Sequence, residues 1–242
     1  MNILMIDTSG PACGVALSRG GKLVCEMTLT SGLTHSQRVA PMMDAALEMS
    51  GMTLKDIDLF GAVVGPGSFT GVRIGVTTVK ALAYAQGKPC IAVDALEALA
   101  QNEAAFDGLL CPILDARAQQ VYGAIFAGGG DAPVRVMEDE AMKLSDYLAR
   151  VEADGRPAMF MGDGAAAFEP IIRERLGERA HFAPMEHAGL RAGCALALAQ
   201  RRADAGEALT DCITLAPLYL RAPQAERERA AREAAAKEGA HG

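Results

Sequence analysis

The chain has 242 residues, 50% of them hydrophobic and 22% charged, a composition that supports a packed core and excludes a disordered or fibrous protein. Its net charge is -7, from 23 Lys and Arg against 30 Asp and Glu. Unaided RNA binding needs a basic face for phosphate contacts, and this balance argues against one.

In chain order, Asn2–Asp7 reads as a buried strand, followed by strands over Cys13–Leu17 and Lys22–Leu29 joined at Arg19-Gly-Gly21. A helix is predicted from about His35 to Ser50, with Gly51 as its cap and Pro41 causing a kink or a late start. Its apolar residues form two stripes, Val39, Met43, Ala46 and Leu47 on one side and Met42, Ala45 and Met49 on the other. A helical turn over Thr53–Ile57 and a strand over Leu59–Val64 lead into the loop Gly65-Pro-Gly-Ser-Phe-Thr-Gly71. That loop opens a helix running to about Gln86, with Gly87 as cap, before a strand over Cys90–Val93 and a helix over Ala95–Asn102.

A second half restarts at Leu109–Asp115. Strands follow over Gln120–Phe126 and near Val134–Met137, with Gly128-Gly-Gly130 as the turn between them. A helix near Ser145–Glu152, a strand over Ala158–Met161 ending at Gly162-Asp-Gly164, and helices over Phe168–Leu176 and Leu190–Ala203 complete it. Each half begins with an apolar strand ending in Asp, Asp7 and Asp115, which indicates a duplicated α/β unit with a mixed sheet between helices. The expected division is 1–105, 106–222 and a charged tail over 223–242.

Three features bear on chemistry. A carboxylate and two hydroxyls at a strand end, Asp7-Thr8-Ser9, could hold a metal–phosphate group, or could be a self-capped turn. The glycine-rich loop at 65–71 could bind an anion at a helix start. It lacks the Lys-Ser/Thr of a P-loop and the full dinucleotide fingerprint. In the helix that follows, Gly71 and Gly75 allow close approach of another helix, while Arg73 and Lys80 lie on a polar stripe. This reads either as a docking helix or as packing within the chain's own core. The six cysteines form no CxxC pair and lie among apolar residues, as reduced buried thiols do. No two histidines have metal-ligand spacing and no His stands near a Cys or Ser in a nucleophile motif, so no metal is expected and no catalytic residue or cofactor is assigned. Met1–Thr8 is too short for a secretory signal, and no apolar run approaches the ~20 residues of a membrane span, which predicts a cytoplasmic protein.

Ile3-Leu-Met-Ile-Asp7-Thr-Ser, Gly14-Val-Ala-Leu17, Thr34-His-Ser-Gln37, Gly65-Pro-Gly-Ser-Phe-Thr-Gly-Val-Arg73 and Ile91-Ala-Val93 resemble, in order and spacing, the TsaB family, also called YeaZ. Pro217-Leu-Tyr-Leu-Arg221 resembles that family's closing strand. The resemblance is strong over residues 1 to 100 and weak from 101 to 216. It implies an actin-like, Hsp70-like and sugar-kinase-like fold of two similar domains. It also implies a non-catalytic scaffold that activates a paralogous transferase, TsaD, in making threonylcarbamoyladenosine on tRNA, with a TsaE-like ATPase in the larger complex and a homodimer when alone. The paralogue's HxxxH metal ligands would fall at Asp94 and Ala98 here, and alanine has no donor atom. The alternatives are an ATP-dependent small-molecule kinase of the same fold, loosely supported by Asp7, Asp115 and Arg117, and a glycoprotease-type peptidase. The expected partner surface is the two helices of the first half, through Met42, Ala45, Met49, Gly71, Arg73, Gly75 and Lys80.

Overall fold

The computed structural model describes residues 1–32 and 34–221; the expected charged tail over 223–242 lies outside the described residues. The first sheet is built on β1 (Ile3–Asp7), whose five residues are all buried because both faces are covered. β2 (Cys13–Arg19) and β3 (Lys22–Leu29) pair antiparallel beside it, turning at Gly20 and Gly21 with φ of +57° and +78°, as the twist of a two-residue hairpin requires. On the other side β4 (Leu59–Val63) and β5 (Cys90–Val93) add in parallel, giving the order β3-β2-β1-β4-β5.

α1 (His35–Met49) and α2 (Phe69–Gln86) cover one face of this sheet. The expected late start at Pro41 does not occur. Pro41 lies on the exposed side of α1, where the one hydrogen bond it removes, to Gln37 O, can be replaced by water. α2 is capped by Ser68, whose side chain accepts the Gly71 N–H at 3.2 Å, and ends at left-handed Gly87.

The second sheet repeats the first. β6 (Leu109–Asp115) is central, β7 (Gln120–Ala127) and β8 (Val134–Lys143) pair antiparallel on one side, and β9 (Ala158–Met161) and β10 (Ala180–Phe182) pair parallel on the other. α4 (Leu144–Asp154) and α5 (Asp163–Leu176) cover it. Three local expectations are corrected here. β8 runs to Lys143 rather than Met137, because alternation continues along an edge strand whose outward residues include charges. α5 starts at Asp163 rather than Phe168, so Gly162-Asp-Gly164 is a helix start and not a free loop. β10 was not predicted, being only three residues long. Tyr147 of α4 is fully buried and donates its hydroxyl to Ala124 O at 2.8 Å, which satisfies its polar end inside that core.

The last helix of each half crosses to the other. α3 (Ala95–Ala100) buries Leu96, Leu99 and Ala100 with Leu110, Ala124 and Phe126 of the second sheet. α6 (Ala192–Asp204) buries Ala192, Ala195, Leu196, Leu198 and Ala199 against Ile3, Met5, Ala16 and Leu59 of the first. The division at 105/106 is therefore not clean: residues 192–204 and the segment from 210 to 218 pack on the first sheet although they follow the second. The segment Pro217–Arg221 is not a strand either. Only the Leu218 N–H reaches the sheet end, donating to Val64 O at 2.7 Å.

Candidate functional site

A cleft of ≈ 640 Å³ opens between the lobes, walled by Ser9, Gly10, His35 and the start of α2 on one side and by Asp115, Arg117 and Asp163 on the other. The turn after β1 and the end of β6 both line it, so the duplication brings the two strand-end regions to one cleft. Asp7 and Thr8 do not line it. Asp7 is 1% exposed and turned inward, its Oδ1 accepting the Ser9 N–H at 2.8 Å and the Ser9 hydroxyl at 2.6 Å. Burial pushes this carboxyl up, and the two Ser9 hydrogen bonds pull only part of the way back. The Thr8 hydroxyl donates to Gly71 O at 2.7 Å. Of the three candidate ligands only Ser9 reaches the cleft wall, and the strand end is a self-capped turn.

The glycine-rich loop is explained by the same contact. A Cβ on Gly67 would sit 2.3 Å from Ser9 O, and one on Gly71 2.1 Å from Thr8 O, so backbone meets backbone where any side chain would intrude. The Ser68 N–H donates to Ser9 O at 2.7 Å. The loop closes on the chain itself.

Opposite, Asp163 Oδ1 accepts the Asp115 N–H at 3.0 Å and Asp115 Oδ1 accepts the Arg117 N–H at 2.7 Å. Burial raises the Asp163 carboxyl. Arg117, Ala118 and Gln119 all have positive φ, 65°, 51° and 56°, where a phosphate-binding turn of this kind would use glycine. On the first side, His35 Nε2 lies 2.9 Å from Gly10 O and pins the turn after β1. Among the described residues no group of three His, Cys, Asp or Glu could hold a metal. Burial pushes the thiols of Cys13, Cys90 and Cys194 up to about 11 and Cys111 to about 12, which makes them poor nucleophiles at neutral pH.

The expected partner residues divide. Met42 is 6% exposed and belongs to the core under α1, so the second stripe is not left open as a whole. Ala45 is half-buried and Met49 is 78% exposed. Gly71 and Gly75 face inward; a Cβ on Gly75 would come 2.5 Å from Thr8 Oγ1. Their smallness serves the chain's own strand end, which corrects the expectation of a partner helix there. Arg73 stacks its guanidinium 3.9 Å above the Phe69 ring and donates to the Tyr219 hydroxyl at 2.9 Å, while Phe69 and Tyr219 stack with centroids 4.6 Å apart. Lys80 Nζ donates to Ile213 O at 2.9 Å and Leu215 O at 2.8 Å. Both cations thus hold the segment 213–219 on α2 as a strap. The sequence marked Pro217–Arg221 as a closing strand, but nothing local pointed to its contact with α2, because Arg73 and Tyr219 are 146 residues apart.

A family profile described as TsaD, tRNA N6-adenosine threonylcarbamoyltransferase, matches residues 30–229. The chain is 37% identical over 179 residues to the tRNA threonylcarbamoyladenosine biosynthesis protein TsaB of Bacillus subtilis, covering 74% of this chain and 78% of that protein. It is 40% identical over 126 residues to TsaB of Escherichia coli, about half of each chain at 51% and 54%. The solved structure of YeaZ from Pseudomonas aeruginosa superposes with a TM-score of 0.75 at 28% identity, covering 90% of this chain and 99% of that one.

Proposed function

Because the chain belongs to the TsaB family, within the wider family described as TsaD, we propose that it is a non-catalytic subunit of the machinery that makes threonylcarbamoyladenosine on tRNA, binding and activating a TsaD-type transferase. The observation that carries the non-catalytic reading is at the start of α3. There Asp94 is used as a helix cap and Ala98 is a fully buried methyl, at the two positions that the resemblance assigns to metal ligands in the transferase. The inward-turned Asp7 and the glycine-free turn at 117–119 support it further.

The partner binds the outer side of α1 and α2, where Met49 and Tyr84 stand 78% and 77% exposed. Exposed apolar side chains rimmed by polar ones suit a protein interface. The same face serves for homodimer formation when the partner is absent, and a TsaE-type ATPase joins the larger assembly. The working compartment is the cytoplasm; no helix among the described residues is long and apolar enough to cross a membrane. The decisive experiment is co-purification with a TsaD-type protein, followed by reconstitution of tRNA threonylcarbamoylation with and without this chain. Modification that proceeds equally well without it ends the proposal. The interlobe cleft favours a second reading, a small-molecule kinase, and steady ATP turnover by the isolated chain would select it.

A further inference from the structure

The junction of the lobes carries more buried negative charge than positive. Asp94 closes β5 and caps α3, its Oδ1 accepting the Glu97 N–H at 2.8 Å. Glu97 stands on α3 and Asp139 on β8. The side chains of Asp94, Glu97 and Asp139 are only 14%, 17% and 10% exposed. Arg135 of β8, with its Cζ 4.6 Å from the Phe126 ring centroid, pairs with Asp139 at 2.5 Å. It stays 3.7 Å from Asp94 and 4.0 Å from Glu97. Arg202 of α6 pairs tightly with Glu97 and donates to Ala92 O at 3.1 Å. Among the described residues, the other carboxylates paired with these arginines are Glu138, 88% exposed and 3.7 Å from Arg135, and Glu207, 59% exposed and 4.0 Å from Arg202. Both stand in water and are screened by it.

Inside the cluster, then, three carboxylates face two guanidiniums. Asp139 and Glu97 each have a close cationic partner. Asp94 has one backbone N–H and, at 3.7 Å, only a share of the Arg135 guanidinium that Asp139 holds at 2.5 Å. A third carboxylate without a cation of its own in so little water is strongly unfavourable, and the smallest group that can neutralise it is a proton. We propose that Asp94 and Asp139 share one proton, and that this proton fastens β8 of the second lobe to the β5–α3 junction of the first. The protonated carboxyl of Asp94 donates to the carboxylate of Asp139, while its other oxygen keeps the cap on α3. Burial first, and the Asp139 carboxyl second, hold Asp94 far above the ordinary carboxylate range, in agreement with this arrangement. When the proton leaves at alkaline pH, two carboxylates confront each other across the junction and β8 loosens from α3. The proposal does not depend on what binds the outer helices.

The test is a carboxyl-carbon NMR titration of the aspartates, run with hydrogen exchange of residues 134–143 and 94–100 corrected for the intrinsic rise of exchange with pH. In the wild type one Asp carboxyl should titrate well above the ordinary carboxylate range, pH about 4, and protection in both segments should fall through that same transition. Asp94→Asn keeps the cap acceptor and supplies an N–H to Asp139, so its segments should show no such transition. Aspartates that all titrate in the ordinary range would overturn the proposal, whatever the variant does. So would an Asp94→Asn protein that loosens with pH as the wild type does.

Discussion

Single residues decide whether a surface stripe is a surface at all. Met42 and Met49 lie on the same expected stripe, yet one is in the core and the other in solvent. Met42→Asp should therefore cost about 3 kcal/mol or more, since it buries an unpaired charge. Met49→Asp should change stability by no more than about 0.5 kcal/mol and yet abolish capture of a TsaD-type partner. Urea denaturation and a pull-down of the two variants check both halves, and a Met49→Asp protein that still captures the partner places the interface elsewhere. Asp94 makes a prediction of a different kind. Its folded-state carboxyl is raised above the ordinary 3.8, so the native protein holds that proton more tightly than the unfolded chain. The contribution is fully present below 3.8 and is lost as pH rises above it. The stability of Asp94→Asn relative to wild type should therefore rise steadily with pH from the ordinary carboxylate range upward, as read from denaturation midpoints across that range. A difference that is flat with pH would show that Asp94 ionises normally. Asp56, Asp154 and Asp211 shift in the opposite direction, each lowered chiefly by local hydrogen bonds, so the difference between the two proteins is the informative quantity.

At the level of elements, most of the fold was legible. β1, β5, β6 and β9 follow from short apolar runs bounded by turn residues, and α2 from the glycine-rich loop before it and Gly87 after it. Both signals are local: a cap or a two-residue turn is set by backbone conformation within a few positions. The strap at 213–219 is not local. Its chain has no period and no regular hydrogen bonding, and it is held by Arg73, Lys80 and Phe69 from more than a hundred positions away. Tyr219→Ala removes the ring that stacks on Phe69 and the acceptor for Arg73. It should cost about 1 kcal/mol and speed amide exchange over 213–219 while leaving β1 and β6 protected. Exchange in the strap that matches wild type would mean that Lys80 alone retains it.

The whole molecule is two copies of one topology that trade their last helices. The sheet of the first half is covered on one face by α6, which the chain reaches only after building the second half. Residues 1–105 expressed alone should then expose Ile3, Met5 and Leu59 and remain aggregated or unfolded, whereas residues 1–221 should give a cooperative transition by circular dichroism. A soluble, cooperatively melting 1–105 fragment would show that the helix exchange is dispensable. The net charge of -7 belongs to this scale as well. Binding of tRNA by the isolated chain should be negligible at physiological salt, because a net-negative surface gains nothing by releasing phosphate counterions. Electrophoretic mobility shift with labelled tRNA measures it, and tight, salt-sensitive binding would contradict it.

The sequence by itself determined the α/β class, the two strand–Asp beginnings, the central glycine loop as the most specific feature and the family resemblance. These are carried by residues close together in the chain, where backbone geometry and side-chain alternation act directly. Tertiary structure alone decided that Asp7 turns inward and that Gly71 and Gly75 receive Thr8 instead of a partner. It also decided that Arg73 and Lys80 serve the strap, and that Arg135 stands near both Asp94 and Asp139. Each depends on which distant segment covers a given face. A helix period or a glycine spacing states that a close approach is possible, but the identity of the approaching group is fixed only when the whole chain has packed.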